Sequence, residues 1–261
     1  MRVTGIGGKV ALVTGAAQGI GETVARHLAE LGAIVAAVDL NAERLKELVC
    51  DLKSENLHAA EYAVDVSDSF AVDEIVERIE EELGPIEILV NVAGILKPGS
   101  IESLSDEDWI ATFNVNTNGV FYVSRSVIKR MAPRKIGAIV TVGSNATRVP
   151  RMHMAAYAAS KAASTMFTKC MGLEQAHNNI RCNVVSPGST DTAMQRVLWE
   201  GEDRAEDVIG GSSESYRVGI PLGKLATSSD IADAVVYLVS DQARHITMHD
   251  LCIDGGATLG G

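Results

Sequence analysis

Three side chains in the second half of the chain have the types and spacing of an acid–base unit. Tyr157 and Lys161 lie four residues apart in the stretch AAYAASKAA, and Ser144 precedes the tyrosine by thirteen residues. Residues four apart on a helix share a face. A free tyrosine has a pKa of about 10, and a nearby cation favours the phenolate and lowers that value. We therefore expect Tyr157 to exchange protons with an alcohol or carbonyl that Ser144 hydrogen-bonds. A surface tyrosine that happens to precede a lysine on an Ala-rich helix is the alternative.

A glycine-rich turn near the N-terminus is a candidate site for a phosphate-containing cofactor. Gly15, Gly19 and Gly21 form a TGxxxGxG pattern between a predicted strand and a predicted helix. Glycine permits the tight turn and lets a pyrophosphate approach the backbone, and the helix N-terminus supplies N–H donors. In this strand–loop–helix context the pattern predicts a dinucleotide site, which also includes Gln18 and Ile20.

Two aspartates at the ends of the next two predicted strands are expected to contact the nucleotide. Asp39 follows Gly21 by eighteen residues, where a carboxylate can accept both ribose hydroxyls of NAD and would repel the 2′-phosphate of NADP. No arginine or lysine stands in the glycine loop or directly after Asp39, so we predict NAD. Asp65 is expected at the adenine, with Val66 packing nearby. Capping of the following helix is the alternative role for each aspartate.

The elements that would position these residues alternate between short apolar runs and longer helical patterns. The predicted strands are apolar throughout, so both of their faces should be buried. Strand–helix alternation implies right-handed βαβ units in one parallel sheet. We predict an α/β fold over residues 1–261: a single-domain, Rossmann-type, doubly wound parallel sheet of about seven strands with helices on both faces. The predicted strands are 10–14, 34–38, 61–64, 88–91, 138–142, 181–185 and 251–253, and the predicted helices are 20–31, 42–54, 69–83, 106–131, 155–177 and 229–239.

Residues 191–226 depart from this alternation. They are richer in charge, glycine and serine, and their helical pattern is broken. They follow a strand, where α/β proteins place substrate-covering loops. We predict a mobile lid over the substrate, with an ordinary surface excursion as the alternative.

Composition excludes several functional classes. Lys and Arg number 23 against 34 Asp and Glu, and this net charge of −11 argues against nucleic acid as a partner. The aliphatic runs are too short to span a bilayer, and the N-terminal MRVTGIGGKV lacks the apolar region of a signal peptide. The four cysteines are scattered without metal-ligand spacing, which favours reduced thiols in a cytoplasmic protein.

These motifs occur in the order and spacing of the short-chain dehydrogenase/reductase family, which the chain resembles over essentially its whole length. Val92 stands where the family often has asparagine, and Met248 where it often has glycine; neither touches the predicted chemistry. The resemblance implies an NAD-dependent oxidoreductase and a homotetramer that uses the helices near 106–131 and 155–177. The matching features are the TGxxxGxG loop, the Asn91-Val92-Ala93-Gly94 motif, Asn116, Ser144, Tyr157, Lys161 and Pro187-Gly188.

The resemblance also implies a role for each site residue. Tyr157 would be the acid–base residue, Lys161 would lower its pKa and hold the nicotinamide ribose, and Ser144 would orient the substrate oxygen. Asn116 would hold a helix bend and a water that links Lys161 to solvent, with a purely structural role as the alternative. Small residues around Asn91, Ala93 and Gly94 would let the cofactor and the backbone pack closely. The nicotinamide carboxamide would be positioned by Pro187, Gly188, Ser189, Thr190 and Thr192, of which Ser189 and Thr192 are alternatively loop caps.

Longer segments, among them PRMHMAAYAASKAA and VSPGSTDTAMQRVLW, more closely resemble family members that act on a small carboxylated dihydrodiol. The carboxylate of such a substrate needs a cation, and the guanidinium fork suits it. Arg151 is our first candidate, Arg148 the second and Lys97 the third; solvated loop cations are the alternative for each. Met194 and Gln195 are further candidate substrate contacts. Met152, Met154, Met194, Leu198 and Trp199 are candidates for an apolar slot around the ring.

Two other functions compete with this interpretation. One is a different NAD-dependent alcohol dehydrogenase of the same family, such as an enzyme of sugar alcohols. The other is a non-catalytic NAD-binding protein that kept the fold. A decayed enzyme is expected to have lost Tyr157, Lys161 or Ser144, and all three are present.

Overall fold

Seven strands form one parallel sheet in the computed structural model, which describes residues 3–199 and 204–260. The strands are β1 (Val10–Thr14), β2 (Ile34–Asp39), β3 (Ala59–Ala63), β4 (Ile86–Asn91), β5 (Gly137–Val142), β6 (Ile180–Pro187) and β7 (Asp250–Ile253). Their order across the sheet is β3-β2-β1-β4-β5-β6-β7, and every neighbouring pair is parallel. The order reverses between β1 and β4, the point at which open α/β sheets leave a crevice beyond the carboxyl ends of the strands.

Helices cover both faces of the sheet, as predicted. The helices are α1 (Gly19–Glu30), α2 (Ala42–Ser54), α3 (Ser69–Leu83), α4 (Asp106–Phe113), α5 (Val120–Arg134), α6 (Ala155–Gln175), α7 (Ala193–Val197), α8 (Ala205–Gly210) and α9 (Ser228–Val239). Apolar residues of α1, α2 and α9 form one core layer, and those of α3, α5 and α6 form the other. In the described part of the chain, no helix is long and apolar enough to cross a membrane.

Strand β1 shows why the apolar runs predict buried strands. Its five residues are all buried. Ala11 and Val13 belong to the α1/α2/α9 layer, whereas Val10 and Leu12 belong to the layer on the opposite face. Because successive strand residues point to opposite faces, a strand covered on both sides needs apolar residues at every position. Each fully buried Val or Leu side chain contributes about 1.5–3 kcal/mol.

The helix predicted over 106–131 is interrupted. Helix α4 ends at Phe113, a π-helical turn occupies Asn114–Gly119, and α5 begins at Val120. Within that turn, the Asn116 side chain accepts a hydrogen bond from Ile95 N at 2.8 Å and donates one to Ile95 O at 2.9 Å. Apolar periodicity does not show this interruption, because the cause is a contact with a loop twenty-one residues earlier in the chain.

The two ends of the segment predicted as a lid, residues 191–226, lie next to each other. Asp191 N donates to Ala226 O at 2.9 Å, and Ala226 N donates to Ser189 O at 3.1 Å. The two short helices α7 and α8 lie within it, and residues 200–203 of the predicted segment lie outside the described residues. The base of the segment is therefore joined to the loop that follows β6.

Candidate active site

A cavity of about 590 Å³ lies at the carboxyl edge of the sheet, beside the switch point between β1 and β4. It collects residues from the ends of several strands and from α6, as expected for a doubly wound sheet. Most of the residues that the sequence assigns to a dinucleotide meet there. Those lining the cavity are Gly15, Gln18, Gly19, Ile20, Gly21, Asp39, Asp65, Val66, Ala93, Gly94, Tyr157, Lys161, Pro187 and Thr192.

The glycine turn forms a wall of backbone in this cavity. Gly15 has φ +68°, and a Cβ there would lie 2.7 Å from Ala93 N, so no side chain fits. Thr14 Oγ1 accepts hydrogen bonds from Val92 N at 3.1 Å and Ala93 N at 3.2 Å, which join the end of β1 to the loop after β4. Within the described residues, no side chain caps the N-terminus of α1. Its first N–H groups are therefore available to an anion, and they fit the pyrophosphate of a dinucleotide.

Asp39 is held in place by two backbone amides. Its Oδ2 accepts from Ala17 N at 3.1 Å and its Oδ1 accepts from Asn41 N at 3.0 Å. The cap of α2 is Asn41, which accepts from Arg44 N. Because Asn41 caps α2, Asp39 does not, and its carboxylate faces the cavity as a fixed acceptor.

Asp65, which follows β3, is also held by hydrogen bonds from the next residues of its turn. Its Oδ1 accepts from Ser67 N at 2.8 Å and from Ser67 Oγ at 2.7 Å. The cap of α3 is Asp68, which accepts from Phe70 N and Ala71 N. Asp65 therefore stabilises the turn beside the cavity and does not cap the helix.

Ser144, Tyr157 and Lys161 come together where β5 ends and α6 begins. Lys161 Nζ lies 5.9 Å from the centre of the Tyr157 ring and donates to Val142 O at 2.8 Å. Ser144 hydrogen-bonds the Tyr157 phenol, and its Oγ also accepts from Ala146 N at 3.1 Å. The predicted acid–base unit is thus assembled, with the lysine anchored to the end of β5.

Burial dominates the electrostatics of this unit. It raises the pKa of Tyr157, and the hydrogen bond from Ser144 opposes that effect. It lowers the pKa of Lys161 to about 8. The expected lowering of the Tyr157 pKa is therefore wrong. The physical reason is that desolvation of the phenol outweighs its partners, while the Lys161 ammonium bonds to a carbonyl.

Two predicted site residues lie beneath the cavity rather than in its lining. Asn116 is fully buried and, besides its bonds to Ile95, donates to Ser160 Oγ at 3.0 Å. Asn91 is 2% exposed, and its side-chain amide donates to Ser124 Oγ at 3.0 Å in the core. The end of β4 turns the Asn91 side chain toward α5, so the predicted close packing with a cofactor at this residue concerns its backbone. Asn116 supports the loop whose Gly94 faces Lys161 Nζ, since a Cβ on Gly94 would lie 3.4 Å from that atom.

A smaller cavity of about 90 Å³ shares Tyr157, Thr192 and Met194 with the larger one. Ser144 and Arg151 line it, and so do the predicted substrate contacts Met194 and Gln195. Three residues of the loop after β6 line this cavity instead of the larger one: Gly188, Ser189 and Thr190. Thr192 caps α7 by accepting from Gln195 N at 3.3 Å. The smaller cavity is the candidate substrate site, since it contains the phenol and the serine hydroxyl.

The apolar residues that line the small cavity include only some of those predicted to surround the substrate ring. Met154, Met194 and Leu198 line the cavity, and Leu96 joins them from the loop after β4. Met152 is instead 51% exposed, and Trp199 is buried elsewhere in the lid segment. Methionine positions in a loop do not determine which side chains point inward.

The three candidate cations have different surroundings. Arg148 Nη2 lies 3.3 Å from Asp250 Oδ2, and Lys97 Nζ lies 3.6 Å from Asp108 Oδ1. Neither residue lines the small cavity, so the structure does not bring these two candidates together with Tyr157.

Arg151 does line the small cavity, where it is partly buried. A second arginine, Arg217, lines the same cavity from the lid segment. Arg217 could not be predicted from the sequence, because no motif or spacing links that segment to Tyr157.

The fold and the site define a class of protein. A dinucleotide crevice at a sheet switch point, opening onto a tyrosine and lysine on one helix, is the arrangement of Rossmann-type oxidoreductases. The family model of the short chain dehydrogenases matches residues 9–203. The chain belongs to the short-chain dehydrogenase family, and it is an oxidoreductase.

Similar proteins agree over the full length. A Bacillus subtilis protein named 2,3-dihydro-2,3-dihydroxybenzoate dehydrogenase is 65% identical, and the match covers 100% of both chains. An Escherichia coli protein of the same name is 43% identical over 97% of this chain and 98% of its own. The crystal structure of gox2181 matches with a TM-score of 0.88 and 30% identity, covering 96% of both chains.

Proposed function

We propose that this protein oxidises 2,3-dihydro-2,3-dihydroxybenzoate to 2,3-dihydroxybenzoate with NAD, as a step in the biosynthesis of a catecholate siderophore. The observation that carries the proposal is the position of Arg151, which lines the same small cavity as Ser144 and Tyr157. A guanidinium beside an acid–base pair suits a substrate that carries a carboxylate next to the reacting carbinol. The names of the 65% and 43% identical relatives support the same substrate.

The residues of the large cavity fit NAD. The uncapped N-terminus of α1 would take the pyrophosphate, and Asp39 would accept from the ribose hydroxyls while repelling a 2′-phosphate. Asp65 and Val66 would contact the adenine, and Lys161 the nicotinamide ribose. Bound NAD supplies the acceptor for the hydride that leaves the substrate carbinol.

The residues of the small cavity would handle the proton. Tyr157, as phenolate, would remove the proton of the C3 hydroxyl while Ser144 hydrogen-bonds the same oxygen. Because burial raises the pKa of Tyr157, formation of this phenolate needs a positive charge beside it. Lys161, whose pKa of about 8 leaves it mainly protonated at pH 7, would supply that charge. Loss of the hydroxyl proton and of the C3 hydride leaves a ketone that is a tautomer of a catechol. Enolisation yields 2,3-dihydroxybenzoate, and aromatisation makes the reaction effectively irreversible.

A substrate panel tests this function. The purified protein is given NAD or NADP with the dihydrodiol acid, with the diol that lacks the carboxylate, and with sugar alcohols such as threitol. NADH formation from the dihydrodiol acid, much faster than from any sugar alcohol, is the expected result. Faster turnover of a sugar alcohol would favour the other dehydrogenase, and tight NAD binding with no turnover of any alcohol would favour a non-catalytic protein.

We also propose that the protein is a cytoplasmic homotetramer. All four cysteines are free thiols, as a reducing compartment favours. The helices assigned to subunit contacts expose large apolar side chains: Ile110 on α4 is 54% exposed, and Met166 and Leu173 on α6 are 60% and 69% exposed. Met166 and Leu173 are seven residues apart and so lie on one face of α6. Exposed apolar residues grouped on one helix face are typical of protein interfaces. Sedimentation equilibrium should give four times the mass of the chain, and a monomer at micromolar concentration would contradict the proposal.

A further inference from the structure

The lid segment brings a second guanidinium to the substrate cavity. Arg217 lines the small cavity together with Arg151, Ser144 and Tyr157. Its Nη2 donates to Ser189 Oγ at 3.2 Å, in the loop that follows β6. The side chain therefore spans from the lid to the loop at the reaction centre.

Backbone hydrogen bonds and two flanking glycines fix the turn that carries Arg217. Arg217 N donates to Ser212 O at 2.8 Å, and Ser212 N donates to Arg217 O at 2.9 Å, which closes a small antiparallel turn. Gly211 and Gly219 flank the turn with φ +83° and +84°. A Cβ on Gly211 would lie 2.5 Å from Arg217 O, and one on Gly219 would lie 2.5 Å from Ile209 O. Because only glycine fits at both positions, the turn holds Arg217 in a defined place.

Two partly buried cations share this cavity. Burial lowers the pKa of Arg217, and the positive charge of Arg151 lowers it further. The two guanidinium groups therefore repel each other. The carboxylate of Asp254 acts on Arg151, but it is already held by Thr258, Gly256 N and Asn145. Within residues 3–199 and 204–260, neither arginine lies within 4.0 Å of a carboxylate oxygen. Two like charges held together in a partly dry cavity are stabilised when an anion binds between them.

We propose that Arg217 is a specificity-determining residue that binds the substrate carboxylate together with Arg151, so that the lid segment selects carboxylated rings. This inference rests on the proposed function for the identity of the substrate. Charge-assisted hydrogen bonds to a carboxylate are about twice as strong as neutral ones. Recognition of the carboxylate is thereby divided between the loop before α6 and the lid.

Binding of two aromatic probes tests the inference. Calorimetry in the presence of saturating NAD compares 2,3-dihydroxybenzoate with catechol, which lacks the carboxylate. In Arg217→Met we expect 2,3-dihydroxybenzoate to bind about tenfold or more weakly, with catechol affinity changed less than about twofold. Arg217→Lys should retain part of the selectivity, because it keeps the charge without the fork. Arg196→Met is the matched control, since Arg196 is an exposed cation of the same segment that pairs with Asp191.

Kinetics with the dihydrodiol acid separate this inference from the proposed function. In Arg217→Met, KM for the acid should rise about tenfold, while kcat/KM for the neutral diol stays within about twofold. If the native protein oxidises the acid and Arg217→Met does so equally well, the carboxylate role is overturned and the function stands. If the native protein does not oxidise the acid but binds 2,3-dihydroxybenzoate through Arg217, the function fails and the carboxylate role stands. Failure of the native protein to bind 2,3-dihydroxybenzoate more tightly than catechol would also overturn the role.

Discussion

Lys161 Nζ donates to Val142 O at 2.8 Å while lying 5.9 Å from the centre of the Tyr157 ring. The lysine is thus attached to the end of β5, and the tyrosine precedes it by one turn of α6. Because Lys161 is 4% exposed, its ammonium loses most of its hydration, which lowers its pKa to about 8. The candidate site therefore contains a buried cation whose desolvation opposes its charged form.

Replacement of this cation should stabilise the protein and abolish turnover. A fall from 10.5 to about 8 corresponds to a cost of about 3 kcal/mol when Lys161 is protonated in both states. The loss of the hydrogen bond to Val142 O offsets about 1 kcal/mol of this. We expect Lys161→Met to raise the free energy of unfolding by about 1–3 kcal/mol at pH 7, measured by denaturant titration.

The difference in free energy of unfolding between Lys161→Met and the native protein should decrease as the pH rises. Below pH 8 the lysine is protonated in both the folded and unfolded states of the native protein, so its full cost is present. Between about pH 8 and 10.5 the unfolded state binds more protons, so the native protein gains stability with rising pH. The difference between Lys161→Met and the native protein should therefore shrink from pH 7 to pH 9.5. Cys182, whose pKa burial raises to about 12, titrates in both proteins and cancels in the difference. A difference that grows over this range would contradict the assignment.

Removal of the Tyr157 hydroxyl should abolish proton transfer without emptying the cofactor site. Tyr157→Phe keeps the ring that lines both cavities. We expect kcat for the dihydrodiol acid to fall about 10²–10⁴-fold, the usual contribution of a positioned acid–base group. The dissociation constant of NAD, followed by calorimetry, should change less than about twofold. Tyr237→Phe, a substitution on α9, is the control for loss of a hydroxyl. Turnover that remains largely intact in Tyr157→Phe would refute the assigned base.

The preference for NAD should depend on Asp39. Its carboxylate faces the large cavity while accepting from Ala17 N and Asn41 N. Asp39→Ser removes the charge that would repel a 2′-phosphate, so the ratio of kcat/KM for NAD over NADP should fall at least about tenfold. Glu43→Gln removes an exposed carboxylate from the start of α2 and should leave the ratio unchanged. An unchanged ratio in Asp39→Ser would place cofactor selection elsewhere.

Alanine substitutions at two glycines should distinguish the stability cost of backbone strain from the cost of a steric clash. Gly8 and Gly15 both have positive φ, but a Cβ on Gly8 meets nothing within 4 Å, whereas one on Gly15 would lie 2.7 Å from Ala93 N. Gly8→Ala should cost only the conformational term, about 1–2 kcal/mol by thermal or denaturant unfolding. Gly15→Ala should cost more than Gly8→Ala and weaken NAD binding at least about tenfold, because the glycine turn must move away from Ala93. Equal stability of the two variants would show that the glycine turn after β1 can move away from Ala93 at little cost.

Local patterns predicted most of the scaffold because each strand and helix is encoded by nearby residues. The apolar run at β1 and the helices at 42–54 and 69–83 match the predicted bounds. The error at 106–131 came from Asn116, whose side chain bonds to Ile95 and accompanies a π-helical turn. Such a contact joins positions that no local period relates.

The sequence by itself determined the class of protein and its candidate reaction centre: the TGxxxGxG turn, Asp39, and the Ser144, Tyr157 and Lys161 set are recognisable from residue type and spacing. Only the tertiary structure decided which cations line the candidate substrate cavity. It pairs Arg148 with Asp250 and Lys97 with Asp108, and it places Arg151 and Arg217 in the lining of that cavity. The physical reason is that the availability of a charged side chain depends on its partners and its burial, and both are set by residues distant in the chain.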